Sequence, residues 1–234
     1  LDRIKRGAVL RCLKRLGPSV ALLQETHLMG TNCNFLGRLG FDRVFHAGFS
    51  RGSRGVAILL KRSFPFTLVG HKEDPQGRFI AIWGTVEGKP HNFISVYIPP
   101  QTHTRSLKDL AALILGLPPG LTLIGGDFNA TLCRERDFSK GRGTTGGSAD
   151  TRLKTWCDSL GLCDIWRLWN PNMVQYTHTS AAHGSHSRID YMFGFASEVH
   201  TTTGARILPR GISDHSPVLV DLGEGGRGYA PCGG

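Results

Sequence analysis

The most constraining feature of this sequence is a series of short apolar runs that are too brief for helices. Residues 19–23, 56–60, 79–83, 92–98 and 121–124 are each built largely of Val, Ile, Leu, Ala and Phe, and turn-forming or polar residues close them. Runs of that length with little alternation fit strands buried on both faces. Residues 189–195 and 217–222 read as late strands of the same kind. None of these runs approaches the ~20 apolar residues of a membrane-spanning helix, so no membrane is expected as a partner.

Helical patterns lie between the runs. Leu1, Ile4, Ala8, Cys12 and Leu16 form one stripe, basic residues fill the other face, and Gly17-Pro18 stops the helix. Ser106 can cap a second helix, with Leu107, Leu110 and Ile114 as its apolar stripe and Gly116 as its stop. Asp150 can cap a third, which carries Leu153, Trp156, Cys157 and Leu160. Many short strands with few helices between them predict an α/β domain over residues 1–222, with sheets packed together and helices outside. The glycine-rich residues 223–234 read as a flexible tail or linker. The polar, glycine-rich stretch 131–149 reads as one long loop.

The 28 Lys and Arg outnumber the 18 Asp and Glu, which leaves a net charge of +10. That excess favours a polyanionic partner without saying which one. The six cysteines include no C-x-x-C pair and read as reduced thiols, several of them in the core. His178, His183 and His186 form a loose cluster that reads as polar loop residues.

Four acids and one imidazole carry most of the chemistry. Glu25, Asp127 and Asp190 lie at or beside strand ends, and Asp214 precedes the last strand with His215 directly after it. Carboxylates that converge at such a place suit a hard cation, Mg²⁺ or Mn²⁺. In Gly125-Gly126-Asp127-Phe128-Asn129 the glycines permit a sharp exit from the strand and close approach of a ligand. Asp127 can then take a proton from water, and Asn129 can orient that water or donate to a phosphate. In Ser213-Asp214-His215-Ser216 a carboxylate can keep the imidazole protonated beside a developing anion. No Gly-x-Ser-x-Gly elbow supports acyl transfer. Residues 141–146 match G-x-G-x-x-G, but they follow a polar stretch instead of a strand, so a dinucleotide site is not expected.

Five segments in chain order resemble the exonuclease–endonuclease–phosphatase superfamily. They are Leu22-Leu23-Gln24-Glu25-Thr26-His27, Ser95-Val96-Tyr97-Ile98-Pro99-Pro100, Gly125-Gly126-Asp127-Phe128-Asn129, Ser187-Arg188-Ile189-Asp190-Tyr191 and Ser213-Asp214-His215-Ser216-Pro217. The fourth and fifth make the chain more narrowly similar to the apurinic/apyrimidinic-type endonuclease domain of LINE-type (non-LTR) retrotransposons. The resemblance implies a four-layer sandwich, two packed β-sheets flanked by helices. It implies an endonuclease that nicks double-stranded DNA in the nucleus and leaves a 3′-hydroxyl, which primes a reverse-transcriptase domain of the same polyprotein. Glu25 would bind Mg²⁺ and Asp214 would assist it. Asp127 would act on the attacking water with Asn129, Tyr97 would meet the scissile phosphate, and Asp190 would hold His215. Thr177 and Ser213 would touch phosphate, and the segment from Thr177 to Arg188 would form a hairpin probing the DNA groove. Arg142, Arg188 and the basic residues Arg51, Arg54, Arg134 and Arg136 are expected among the DNA contacts. An abasic-site repair endonuclease and a DNA-binding remnant without catalysis are the alternatives. The family opens with a strand bearing an asparagine, whereas this sequence opens in the following helix. An unpaired sheet edge, with reduced stability and activity, is therefore expected.

Overall fold

The computed structural model describes residues 3–26 (side chains from residue 7), 40–49, 55–139, 151–211 and 213–223. Helix α1 (Arg3–Leu16) leads into β1 (Val20–Gln24), β2 (Phe41–Ala47), β3 (Val56–Lys61), β4 (Phe66–Glu73), β5 (Phe79–Val86) and β6 (Lys89–Tyr97). Then come α2 (His103–Leu115), β7 (Leu121–Asp127), α3 (Arg134–Asp137), β8 (Phe138–Ser139), α4 (Arg152–Leu160), β9 (Leu162–Asp164) and α5 (Ile165–Trp169). The chain finishes with β10 (His178–Ser180), β11 (Ser185–Ser187), β12 (Asp190–Phe195), β13 (Thr202–Ile207) and β14 (Val218–Leu222).

The first sheet has six strands in the order β4-β5-β6-β7-β12-β9. Its neighbours run antiparallel except β6 and β7, which are parallel and joined through α2. The second layer comes in two pieces, β1-β3-β2 and the β13-β14 hairpin. Both pack on the first sheet in one apolar cluster, which joins Val56, Ile58 and Leu60 of β3 and Ala205 and Ile207 of β13 to Ile80, Ile82, Phe93 and Leu123. On the opposite face of the first sheet, Leu107, Leu110, Leu113, Leu153, Trp156 and Cys157 of α2 and α4 close over Ile94, Ile124 and Phe193. Helix α1 covers the outer face of β1-β3-β2. The result is the layered α/β sandwich of packed sheets and outer helices that the sequence implies. Among the described residues β1 pairs only with β3 and β14 only with β13.

Local expectations are corrected in four places. Leu13 of α1 is buried against the sheet with the half-buried Val9 and Leu10 packed beside it, and Ala8 and Cys12 of the expected stripe stand outside that cluster. The bulkier side chains remove more apolar area from water, so they set the rotation of the helix. Helix α2 starts at His103, and Ser106 is buried inside it instead of capping it. In the stretch 131–149, α3 and β8 occupy residues 134–139. The Gly125-Gly126 pair lies within β7, where the close approach is made by protein and not by ligand. A Cβ on Gly126 would stand 1.8 Å from the Val96 carbonyl oxygen, and one on Gly125 would stand 2.6 Å from Leu22 Cδ1. The residues expected to cap α4 (Asp150), to form the G-x-G-x-x-G loop, and to form the tail beyond residue 223 lie outside the described residues.

Candidate active site

Strand register gathers the first residues. Asp127, the last residue of β7, is paired with Tyr97 of β6 on one side and with Asp190 of β12 on the other. Paired residues in adjacent strands project to the same face, so three positions far apart in sequence become one row. Glu25 follows β1, which crosses above β6. The Ser95 hydroxyl donates to the Leu23 carbonyl at 3.1 Å, and Gln24 Nε2 donates to Ser95 Oγ at 3.2 Å. These bonds bring the end of β1 over the row. Glu25 and Asn129 both have φ of 49°. Non-glycine residues reach that left-handed region at a cost of order 1–3 kcal/mol, and such strain collects at functional sites.

His215 reaches the row through the β10 hairpin. Thr179 N–H donates to the Asp214 carbonyl at 3.0 Å, and Ser216 N–H donates to the Thr177 carbonyl at 2.7 Å. The 213–216 segment is thus held like a short strand against β10, and the Ser213 hydroxyl caps its turn by accepting from His215 N–H at 3.1 Å. His215 Nδ1 then stands 2.9 Å from Asp190 Oδ2 and 3.1 Å from Oδ1. The carboxylate that holds the imidazole is therefore Asp190 and not its sequence neighbour Asp214.

The electrostatics follow from this crowding. Burial, and then the Asp190 carboxylate, push the Asp127 carboxyl up from about 3.8 to about 7, against the pull of His215 and of the Asn129 N–H; Glu25 adds to the upward push. Burial disfavours the His215 cation. The hydrogen bond and charge of Asp190, with Asp127 and Asp214 behind them, outweigh that penalty and raise the imidazole to about 9. Asp127, Asp190 and His215 each offer a ligand atom, and these atoms lie within 4.8 Å of one another. Asn129 braces the group. Its backbone N–H donates to Asp127 Oδ1 at 2.8 Å, and Nδ2 donates to the Ile98 carbonyl at 3.1 Å and to Asp127 Oδ2 at 3.3 Å. A set of carboxylates with a single imidazole as counter-charge, one acid of it pushed up by its neighbours, has the composition that an oxygen-seeking divalent cation relieves.

Two expected phosphate contacts are corrected. Thr177 is 1% exposed, and its hydroxyl accepts from both Ile189 and Asp190 N–H at 3.1 Å. It anchors the start of β12 and is closed to a phosphate. Arg188 is 2% exposed, and its guanidinium grips Asp137 through Nε and Nη2, each at 2.9 Å, and Asp164 through Nη1. It is a buried structural cation beneath the site. Asp214 is exposed and Ser213 half-buried beside the row. Arg142, Arg51, Arg54 and His27 lie outside the described residues. His178, read from the sequence as a polar loop residue, instead opens β10 beside the site. Its ring meets the His215 ring with centroids 4.7 Å apart, and burial together with the His215 charge lowers its imidazole. The available signal was its position next to Thr177, one strand from the Ser213–Ser216 motif. His186 stacks on Tyr176 and His183 is exposed in the hairpin turn.

Comparison with known proteins bears on the family and the fold. The model of the endonuclease/exonuclease/phosphatase family matches residues 2–215. The chain is 29% identical over 225 residues to the transposon TX1 uncharacterized 149 kDa protein of Xenopus laevis, covering 92% of this chain and 16% of that protein. Solved structures share the fold at low identity. The Xenopus laevis APE2 catalytic domain superposes with a TM-score of 0.72 at 20% identity, covering 94% of this chain and 88% of that one. An AP endonuclease from Archaeoglobus fulgidus gives 0.71 at 20%, covering 92% and 93%. The 3′ phosphatase NExo from Neisseria, bound to product DNA hairpin, gives 0.73 at 20%, covering 94% and 95%.

Proposed function

The chain belongs to the endonuclease/exonuclease/phosphatase family, and from that premise we propose that it is a Mg²⁺-dependent DNA endonuclease (with Mn²⁺ as a substitute ion) that nicks double-stranded DNA and leaves a 3′-hydroxyl. The observation that carries this reading is the convergence of Asp127 and Asp190, at the ends of adjacent strands, with His215 of the docked 213–216 segment, their ligand atoms within 4.8 Å. The net charge of +10 suits a polyanionic substrate.

Glu25, with Asp214 at the rim, would hold the cation. When bound, such an ion neutralises the phosphate and stabilises the leaving oxygen. The remaining work falls to the chain's own groups. Asp127 accepts the proton of the attacking water, and Asn129 fixes both of its carboxylate oxygens so that this acceptor does not turn. His215, kept cationic by Asp190, faces the charge that develops on the phosphorus oxygens. The Tyr97 phenol at the end of the row positions the scissile phosphate. Similarity to a transposon protein supports placing the nick in transposition: the 3′-hydroxyl primes a reverse-transcriptase domain of the same polyprotein in the nucleus. This chain spans 16% of that relative, so the remaining domains belong to the proposal as well.

The test is relaxation of supercoiled plasmid. Nicks are expected with Mg²⁺, and none with EDTA or with Asp127→Ala or His215→Ala. Wild-type protein that binds DNA without Mg²⁺-dependent nicks overturns the reading in favour of a non-catalytic DNA binder. A large preference for abasic over intact duplex reassigns the protein to repair.

A further inference from the structure

We propose that His178, Asp214 and His215 form a second cation site, distinct in chemistry from the carboxylate row, which takes a transition ion such as Zn²⁺ and blocks the site when it does. The ligand atoms of these three side chains lie within 4.8 Å of one another. The group holds two imidazoles and one carboxylate. Imidazole nitrogen suits Zn²⁺ and its first-row neighbours and is a poor match for Mg²⁺, which prefers oxygen.

Two further features favour a site over a chance meeting of side chains. The backbone fixes the donors in pairs: His178 and His215 form an antiparallel bridge, Thr179 N–H donates to the Asp214 carbonyl, and Ser216 N–H donates to the Thr177 carbonyl. Ring orientation is set as well. Nδ1 of His215 is held by the Asp190 carboxylate at 2.9 Å, and Nδ1 of His178 lies 3.3 Å from Ser187 Oγ. Each ring therefore turns its Nε2 away from that partner, and on His215, which Asp190 keeps protonated, that nitrogen gives up its proton when a cation binds. A carboxylate or hydroxyl behind the far nitrogen is the usual support of a metal-binding histidine. The two histidines are half-buried and Asp214 is exposed, which leaves the group open to an ion from solvent.

A cation here releases the proton of the His215 nitrogen that faces the phosphate in the proposed reaction and takes its place. Inhibition thus rests on the proposed function, whereas binding does not. The full chain, stripped with EDTA, is titrated with Zn²⁺ by equilibrium dialysis and with Co²⁺ by visible absorption. One Zn²⁺ is expected to weaken at least about tenfold in His178→Phe and in His178→Gln, the latter keeping a polar group near Ser187. His183→Phe, at the exposed hairpin turn, is expected to bind as wild type does. In the nicking assay at fixed Mg²⁺, both His178 variants should need at least about tenfold more Zn²⁺ for inhibition. Equal Zn²⁺ affinity in wild type and both His178 variants overturns the proposal even if the enzyme nicks. Loss of a bound Zn²⁺ in the His178 variants upholds it even if no nicking is found.

Discussion

Two charged clusters stand two residues apart at the head of β12, and they are built on opposite principles. Around Arg188, the fully buried Asp137 and the Asp164 carboxylate are matched by two guanidiniums, Arg188 and Arg167, with Nη2 of the latter 3.0 Å from Asp137 Oδ1. Arg188 also lies over the rings of Trp166 and Tyr191, at 5.0 and 4.6 Å. Burial alone would lower this guanidinium, but Asp164 and Asp137 raise it well above its ordinary value. Around Asp190 the carboxylates outnumber their resident counter-charge, and Asp127 titrates near neutrality. The first cluster is complete and closed; the second is short of positive charge and open. A buried group with its own cation serves the fold, and one that lacks a cation is fitted to receive it.

The contrast can be broken by substitution. The largest effect is expected for His215→Gln, which should lower the nicking rate by about 10²–10⁴-fold, with little change in the denaturant midpoint above about pH 9, where the imidazole charge no longer contributes. Arg188→Met should do the reverse. It leaves two buried carboxylates with the Arg167 guanidinium alone, and a loss of about 3–5 kcal/mol is expected on breaking such a pair, measured by urea unfolding. Asp127→Asn in metal-free protein at pH 8 should raise the midpoint, by less than Arg188→Met lowers it, because it removes a crowded charge.

A pH series sharpens the same point. Unfolded Asp127 releases its proton near 3.8 and the folded group keeps it to about 7, so its contribution to stability declines across that span. The contribution of His215 is full below about 6.5 and is lost as pH rises through about 9. Between pH 5 and 9 the metal-free wild type should therefore lose stability relative to Asp127→Asn/His215→Gln, and saturating Mg²⁺ should reduce that loss. The smallest effect is expected for Lys154→Ala, whose exposed pair with Asp158 on α4 should leave the midpoint unchanged.

Most strands legible in the sequence lie inside their sheets and the missed ones at edges, with the edge strands β1 and β14 as legible exceptions. β3, β5, β6 and β7 lie inside their sheets, and their continuous apolar runs announced them. β2, β4 and β13 are edge strands, and their mixed sequences Phe41–Ala47, Phe66–Glu73 and Thr202–Ile207 gave no such signal. An edge strand buries less side-chain surface, so its pattern is weaker. In the site, Asp127, Asn129, Asp190 and His215 were legible because each lies in a motif. Thr177 and Arg188 were legible as residues but misread in role, because burial is a property of what packs around a side chain.

The sequence by itself determined the layered α/β class, the strands buried on both faces, and the acids and imidazole available for chemistry, since apolar runs and local motifs act over a few residues. The pairing of Asp190 with His215, implied by the resemblance, is realised in the fold; packing alone settled that Arg188 is sealed against Asp137 and Asp164 and that His178 meets the site. Those outcomes depend on strand register and on the docking of the 213–216 segment against β10, and contacts between distant segments leave no trace in local composition.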